Sequence, residues 1–575
     1  MTTLIGLLEV RMKENPDKEF LHIWDRQDCR SNYSYQDIYQ GALKFAAYFR
    51  DKGLKPGDSV MILLLSRVEF FFVFFGVMMA GGLPIPVHPP IFILEWDEYK
   101  EKFLHIFNTS RPKFILCYAD VYRSIQDKIL KEIVEEERIL MLEKIELPDT
   151  SDGYQPIMPE AWDCAYVQYT SGSTGLPKGA MLTHSALMNN MKAIGEKIEL
   201  SSEDVAVSWL PLYHDMGLIG NFLTALYWNC TVCLIPTEFF VMQPANFFRI
   251  IQEYKATSIN SPNFGYVICN KYVNHKKIAN VDLSSLRLSL IGADHIDFND
   301  MQEFNEKFAA YGLNREIFLP VYGLAEACLG VTFSELNSSV SMDYVNWATL
   351  NQAKQAVSTT EQKRDTLRVV AVGKPVSGQQ VIICDNEGKE QPDEMLGEIC
   401  IKSNMLMSGY QNLPLVTNEV FRDGWLRTDD LGYKRDGVFY FFERKKDLIN
   451  RKGKLFRPKD FEHFCWGIQD IKRGRSVVVG LEKTVGCEDQ DIYLLIETGL
   501  FYSEKYTEII ESLNELYLEE LGEIPDYVYV VPRGSIPQTS SGKLQRYKCR
   551  NKIKDGSIET NFIYDNIAKQ VMFCK

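Results

Sequence analysis

Through the first 330 residues, short apolar runs rich in β-branched side chains alternate with longer amphipathic stretches. The runs fall at 60–65, 114–118, 205–210, 231–235 and 286–291. Such a run fits a strand buried on both faces, and the intervening stretches fit helices that cover it. The alternation predicts βαβ units and largely parallel sheets, an α/β class. With 575 residues, the chain exceeds a single core, so several domains or subdomains are expected. One segment imitates a membrane span, because residues 70–87 carry no charge. Gly81, Gly82, Pro84 and Pro86 interrupt it. It is therefore expected to be a buried helix followed by a strand, with no transmembrane segment.

A loop narrows the ligand. The stretch Tyr169-Thr-Ser-Gly-Ser-Thr-Gly-Leu-Pro-Lys178-Gly179 follows the apolar run 165–169. It is expected to leave a strand end, where open α/β sheets tend to hold ligands. It gathers the hydroxyls of Thr170, Ser171, Ser173 and Thr174 with Gly172, Gly175 and Lys178. Glycine lets backbone N–H groups converge on an anion, hydroxyls add donors, and the lysine brings a positive charge suited to phosphate. A Walker A loop runs from Gly-Lys-Ser/Thr straight into a helix. Here Lys178 follows Pro177 instead. The loop reads as a clamp on a polyphosphate, which makes a nucleotide-consuming enzyme the first hypothesis.

Beyond residue 330 the pattern changes. Residues 334–368 are polar and contain neither Gly nor Pro, and they read as an insertion: an exposed loop with one helix around 348–356. Runs at 369–372, 381–383 and 398–401 predict a small β-rich subdomain. From Arg444 to Lys459, eight basic side chains face one acid. The expected layout is an N-terminal part, 1–443, of two α/β subdomains plus the β-rich one, carrying the insertion 334–368. A hinge at 444–448 and a small, mobile α+β C-terminal domain, 449–575, complete it.

The net charge of −14 argues against general nucleic-acid binding, which favours a basic face. Thirteen cysteines are scattered, and the close pair Cys230 and Cys233 has no second pair to complete a zinc site. Buried, reduced thiols in a cytoplasmic protein are expected. The opening Met1-Thr-Thr-Leu-Ile-Gly lacks a basic region ahead of an apolar core, so no signal peptide is expected.

Four further motifs follow in order: Trp209-Leu-Pro-Leu-Tyr-His-Asp-Met-Gly-Leu-Ile-Gly220, Tyr322-Gly-Leu-Ala-Glu326, Trp425-Leu-Arg-Thr-Asp-Asp-Leu-Gly432 and Pro537-Gln-Thr-Ser-Ser-Gly-Lys543. Together with the loop they resemble the adenylate-forming superfamily of acyl- and aryl-CoA synthetases, luciferases and peptide-synthetase adenylation domains. Within it the chain is similar to the fatty acyl-AMP ligases. Gln168 precedes the loop, Ser261-Pro-Asn-Phe264 follows the second motif, and the polar insertion lies between Glu326 and Val372-Gly-Lys-Pro375.

The resemblance implies ATP-dependent activation of a medium- or long-chain fatty acid to an acyl-adenylate, with release of pyrophosphate. The acyl group then passes to the phosphopantetheine thiol of an acyl carrier protein; a fatty acyl-CoA synthetase using free coenzyme A is the alternative. Both reactants of the first step are anions, so catalysis is mostly charge neutralisation and alignment. Thr170–Gly175 and Lys178 would hold the β- and γ-phosphates. Glu326 corresponds to the carboxylate that holds Mg²⁺, and an oxygen ligand suits that cation.

Tyr322, with Gly323, would meet adenine, and Gly292-Ala293-Asp294 would line the other side. The family more often shows Gly-Ala-Glu-Pro, so Asp294-His295 is a departure. Asp430 matches the acid that accepts from both ribose hydroxyls, with Asp429 as a competing candidate, and Arg444 matches an arginine that meets ribose or phosphate. Lys543 is implied as the lysine of the adenylation step.

His214, Met216, Gly217 and Asn263 are expected to border the acyl tunnel. His214 there either gates the carboxylate or is a packed, hydrogen-bonded residue. The C-terminal domain would turn about Asp447. Arg444–Lys459 with Lys543, Arg546, Lys548, Arg550, Lys552 and Lys554 forms either a docking face for an acidic carrier or a plain basic surface. Deleting about 343–362 is expected to raise CoA-dependent activity.

Overall fold

The computed structural model describes residues 2–24, 30–91, 96–148, 153–170, 175–360, 366–466, 468, 471–484, 489–498, 503–538 and 544–574. The middle of the largest sheet is parallel. Its strands lie in the spatial order Thr231–Leu234, Val205–Ser208, Ser258–Ser261, Leu288–Ile291 and Phe318–Leu324. All five apolar runs become strands: three lie in this sheet, and the other two supply Ser59–Leu63 and Phe114–Cys117, the central pair of a second, four-stranded sheet. Each lies within a residue or two of its expected bounds.

Phe318–Leu324 is where the pairing changes. It is parallel to Leu288–Ile291 on one edge and antiparallel to Leu329–Phe333 on the other. From there the sheet runs on through antiparallel strands Thr366–Pro375, Val438–Arg444, Trp425–Arg435, Gly397–Lys402 and Gln380–Cys384. These form the β-rich part. A separate four-stranded parallel sheet holds Leu83–Pro86, Ser59–Leu63, Phe114–Cys117 and Ile139–Met141.

The uncharged segment becomes the helix Val68–Met79 followed by the strand Leu83–Pro86. Its phenylalanines are buried on more than one side: Phe71 meets Phe222 at 4.0 Å between ring centroids, and Phe74 meets Tyr166 at 5.4 Å. Packing on the helix Tyr35–Asp51 is close enough that a Cβ at Gly76 would stand 2.6 Å from that of Phe45. No described helix is long and apolar enough to cross a membrane.

The C-terminal part has its own five-stranded sheet, Ile471–Glu482, Gln490–Thr498, Tyr527–Val531, Phe562–Asp565 and Gln570–Cys574. Helices Pro458–Cys465, Ser503–Glu520 and Arg546–Lys554 accompany it. The α/β class, with a large N-terminal part and a smaller α and β C-terminal part, is as the sequence implies.

Three expectations need correction. The strand Cys164–Tyr169 does not end in a parallel sheet. It pairs antiparallel with Gly179–Thr183 in a separate hairpin, so the phosphate-type loop connects the two strands of that hairpin. The insertion is not an exposed loop. It forms the strand Met342–Asn346, which pairs with Thr366–Pro375, and the helix Trp347–Ala353. Val345, Trp347, Leu350 and Ala356 are buried against Phe456 and Phe461 of the C-terminal part. The polar composition hid this because four apolar residues suffice when another surface covers them. Finally, not all thiols are free: Cys384 and Cys400 form a disulfide between paired strands. Cys230 and Cys233 are free and buried, as expected.

Candidate active site

The carboxyl ends of the parallel strands deliver most of the motif residues to one region. Trp209–Met216 follow Val205–Ser208, Asn263 and Phe264 follow Ser258–Ser261, Ala293 and Asp294 follow Leu288–Ile291, and Glu326 follows Phe318–Leu324. This is the edge at which open α/β sheets hold ligands. Three contiguous cavities of about 670, 660 and 710 Å³ open there. Ala293, Gly323, Asp430 and Arg444 line the first and second, and Thr170 and His214 line the second and third.

Asp430, Tyr322 and Arg444 form one cluster. Asp430 and Arg444 are direct cross-strand partners. The Arg444 Nε lies 3.7 Å from Asp430 Oδ1, and the Tyr322 hydroxyl donates to Asp430 Oδ2 at 2.7 Å. Burial pushes the Asp430 carboxyl up to about 6, outweighing Arg444 and Tyr322, which favour its charged form. Burial, then the Asp430 charge, pushes the Tyr322 phenol well above its ordinary value, so it stays a donor. Asp429 differs. Its backbone is left-handed (φ 61°), its side chain is 52% exposed, and it pairs with Lys446 at 2.7 Å. Both line the second cavity, but Asp430 is the buried one and alone reaches the first cavity as well.

The second cavity holds Thr170, Lys178 and Glu326. The neck of the loop is closed by two bonds: Thr170 N–H to the Lys178 carbonyl (3.0 Å) and Lys178 N–H to the Thr170 hydroxyl (3.2 Å). Gly175 faces open space, whereas Ser171, Gly172, Ser173 and Thr174 lie outside the described residues. Glu326 Oε1 accepts from the Tyr410 hydroxyl at 2.7 Å, and Lys178 Nζ sits 5.1 Å above the Tyr410 ring. Sequence reasoning missed Tyr410, which lies 84 residues from Glu326 and belongs to no motif that was read.

The donor set suits magnesium. Among the described residues no group of three or more His, Cys, Asp or Glu surrounds a metal position. Magnesium commonly keeps several waters and takes one or two carboxylates plus substrate phosphates. Glu326 beside a phosphate-type loop offers that arrangement.

Two of the expected glycines serve the fold first. A Cβ at Gly323 would stand 1.8 Å from the Leu329 carbonyl oxygen, and one at Gly292 would stand 2.7 Å from that of Val321. Between them Ala293 adopts φ 62°, a left-handed backbone that costs energy without glycine and recurs at functional sites.

The four acyl-site residues are not one cluster. His214 lies on the wall between the second and third cavities, and Met216 lines the second. Gly217 is packed beneath the chain, where a Cβ would meet the Pro211 carbonyl oxygen at 2.4 Å. Asn263 lines the first cavity, with its amide donating to Asp300 at 2.7 Å and its carbonyl accepting from Asp297 N–H. Beside it an apolar wall of Phe264, Val267 and Ile268 leads to Tyr272 and Val241, each about half exposed.

The C-terminal part closes over these cavities. Gln538 and Leu544 line the first cavity; Lys543 lies between them, outside the described residues. His295, the departure from the family pattern, accepts at Nδ1 from Lys459 Nζ at 2.7 Å. Burial and the neighbouring lysine hold its imidazole well below the ordinary value, so it is neutral. Burial, aided by Arg457, lowers Lys459 to about 8. Asp447 receives Arg550 Nη2 at 3.4 Å, and Lys548 pairs with Glu98. Lys548 and Arg550 therefore face inward, and in this arrangement they cannot form the docking face that their charge suggested.

The cavities, the hairpin loop and the strand-end carboxylates define an adenylate-forming enzyme. Residues 8–411 match the family model described as AMP-binding enzyme, and the chain belongs to that family. A Caulobacter vibrioides protein named as an acyl-CoA synthetase is 30% identical, covering 91% of this chain and 90% of its own. The medium-chain fatty acid acyl-carrier-protein ligase JamA of Moorena producens is 28% identical over 97% and 96%. Among solved structures, one from a study of fatty acyl-adenylate ligases of E. coli and L. pneumophila superposes with a TM-score of 0.88 at 30% identity, covering 97% of this chain and 98% of that one.

Proposed function

We propose that the chain activates a medium- or long-chain fatty acid with ATP and Mg²⁺ and passes the acyl group to the phosphopantetheine thiol of an acyl carrier protein. The observation that carries this reading is the order of chemistry around the cavities. A polar cluster of Tyr322, Asp430 and Arg444 lies at one side, Thr170, Lys178 and Glu326 at another, and the apolar wall of Phe264, Val267 and Ile268 beside both.

In this reading Tyr322 and the segment Gly292-Ala293-Asp294 hold adenine, and Asp430 accepts from both ribose hydroxyls while Arg444 favours its charged form. The loop from Thr170 to Gly175 and Lys178 hold the β- and γ-phosphates. Glu326 would hold the magnesium ion beside the phosphates, and the ion would supply charge neutralisation there. A carboxylate oxygen of the fatty acid attacks the α-phosphorus, and the bond to pyrophosphate breaks. Lys543 steadies the charge that develops between them; support comes from its flanks, Gln538 and Leu544, which face the nucleotide cavity. The acyl chain runs along Asn263, Phe264 and Ile268 toward Tyr272, with His214 and Met216 at the junction and Gly217 beneath. The thiol then attacks the acyl carbonyl, and AMP leaves.

The second half-reaction needs the C-terminal domain (449–575) to turn on the N-terminal part (1–443) about Asp447 in the hinge 444–448. The polar contacts across the seam, Lys459 with His295 and Lys548 with Glu98, can be remade in another arrangement, which favours such a movement, while the apolar packing of Val345, Trp347 and Leu350 on Phe456 and Phe461 opposes it. The insertion 334–368 restrains it through the Trp347–Phe456 contact, 5.3 Å between centroids. That restraint, and the likeness to an acyl-carrier-protein ligase, favour a carrier over free coenzyme A. The likeness to the Caulobacter protein keeps coenzyme A as the second reading. A cytoplasmic enzyme of fatty acid metabolism is part of the proposal.

The test is fatty-acid-dependent exchange of labelled pyrophosphate into ATP. Exchange should occur in the wild type and fall roughly 10²- to 10³-fold in Lys543→Ala, the usual cost of losing a transition-state donor. Full exchange in that variant contradicts the assignment.

A further inference from the structure

Tyr410 lies in none of the motifs, yet it touches two of the site's charged groups. Its hydroxyl donates to Glu326 Oε1 at 2.7 Å, and Lys178 Nζ lies 5.1 Å from its ring centre. Only 5% of it is exposed, and all three side chains line one cavity.

Its backbone explains how one residue reaches both. The segment Ser408–Gln411 lies along the outer edge of Gly179–Thr183, the strand that leaves the phosphate-type loop. Met181 N–H donates to the Gly409 carbonyl (2.9 Å), Ser408 N–H to that of Met181 (2.9 Å), and Gln411 N–H to that of Gly179 (2.8 Å). Just before it, Met407 N–H donates to the Glu326 carbonyl at 2.8 Å. The segment thus straps the turn carrying Glu326 to the hairpin carrying Lys178. Thr417 pins it from behind, its hydroxyl accepting from Tyr410 N–H at 2.9 Å.

We propose that Tyr410 is a positioning residue for adenylation: its hydroxyl fixes the Glu326 carboxylate for a divalent cation, and its ring steadies Lys178 over the polyphosphate. This rests on the reading of Glu326 as the magnesium ligand. A carboxylate with one oxygen tied by a donor loses rotational freedom and presents the other oxygen in a fixed direction. Outer partners of this kind commonly affect metal affinity about 10- to 100-fold. An ammonium over an aromatic face is held there by the ring's quadrupole. Tyrosine supplies both interactions at once, and phenylalanine would supply only the second.

The experiment reads metal binding directly, by electron paramagnetic resonance of Mn²⁺ added to the full-length protein with a non-hydrolysable ATP analogue. Tyr410→Phe, Glu326→Gln and the double variant are compared with the wild type. Tyr410→Phe should weaken Mn²⁺ binding roughly tenfold and raise the Mg²⁺ needed for half-maximal pyrophosphate exchange by a similar factor, leaving the KM for fatty acid unchanged. Glu326→Gln should weaken Mn²⁺ binding further, and the double variant should bind no more weakly than Glu326→Gln alone, because the two groups act as a unit. If Glu326→Gln weakens binding but Tyr410→Phe does not, the proposal fails while Glu326 stands as the ligand. If Glu326→Gln also binds Mn²⁺ like the wild type, both fall. Tyr410→Leu should additionally weaken inhibition by pyrophosphate; equal inhibition of Tyr410→Leu and Tyr410→Phe overturns the role given to the ring.

Discussion

Asp430, Tyr322 and Arg444 hold one another within a single sheet, two of them on directly paired strands, whereas Lys459, on the helix Pro458–Cys465 of the C-terminal part, meets His295, in the connection after Leu288–Ile291. The first cluster is fixed by the register of a hairpin and persists as long as the sheet does. The second depends on how the two parts of the chain sit. Its lysine is held at about 8 and its histidine neutral, so it gains little beyond one hydrogen bond. A cavity wall fixed by sheet register, beside a polar contact that can be remade, would suit the proposed two half-reactions: the first must stay constant while the second changes.

The comparison breaks most visibly at Asp430. Asp430→Ala should raise the Kd for ATP on the order of 100-fold, because hydrogen bonds to a charged acceptor contribute about 1.5–3 kcal/mol each. Asp429→Ala should change it little. Calorimetric titration of ATP checks both, and a reversed order would move the ribose site to Asp429.

Trp347→Ala comes next. Large-to-small changes at buried aromatics cost about 3–5 kcal/mol, and here the loss should fall on the seam with Phe456. Hydrogen exchange should speed up in the C-terminal part while Val205–Ser208 and Leu288–Ile291 stay protected. This variant is a cleaner probe of the restraint than deletion of 343–362. Asp343 accepts from the Tyr433 hydroxyl at 2.8 Å and pairs with Arg435, so the deletion would strip a buried network as well.

The pH response should separate the regions again. Burial raises Asp430 from the ordinary carboxyl range to about 6, so between about pH 4 and 6 the folded apo-protein holds a proton that the unfolded chain releases. The cost of its charge to stability is absent below about pH 4 and present in full above about pH 6. ATP affinity should run the other way, falling below pH 6 by up to roughly tenfold per unit as the acceptor is protonated. Asp430→Asn should flatten that dependence. Smallest of all, Lys459→Met should leave stability at pH 7 unchanged or about 1 kcal/mol higher, since replacing a buried charge by a packed apolar side chain is often neutral or stabilising. A loss above about 2 kcal/mol in thermal unfolding would show that the domain face is tied more firmly than its contacts suggest.

Much of the fold was legible because it follows from burial. A run such as 231–235 can hardly be anything but a strand covered on both faces, and it is Thr231–Leu234. The pairing of Asp430 with Arg444 was not read from the sequence, where each was assigned only by resemblance; it rests on the hairpin turn Asp436-Gly437, both residues left-handed at φ 52° and 75°. Tyr410 was not legible. It reaches Glu326 only because its strap lies against Gly179–Thr183, and nothing local in sequence encodes that pairing. The insertion misled for the opposite reason, since its polar surface outnumbers the few side chains, Trp347 and Leu350 among them, that a second surface buries. The disulfide of Cys384 and Cys400 was equally hidden, resting on the alignment of two strands sixteen residues apart.

One measurement tests the central claim most directly: mass spectrometry of the products formed from ATP, Mg²⁺ and a mixture of fatty acids, with a phosphopantetheinylated acyl carrier protein, with free coenzyme A, or with neither. The account predicts acyl-AMP and pyrophosphate without any acceptor, acyl transfer to the carrier, and little acyl-CoA. ADP and phosphate with no acyl-adenylate would contradict it.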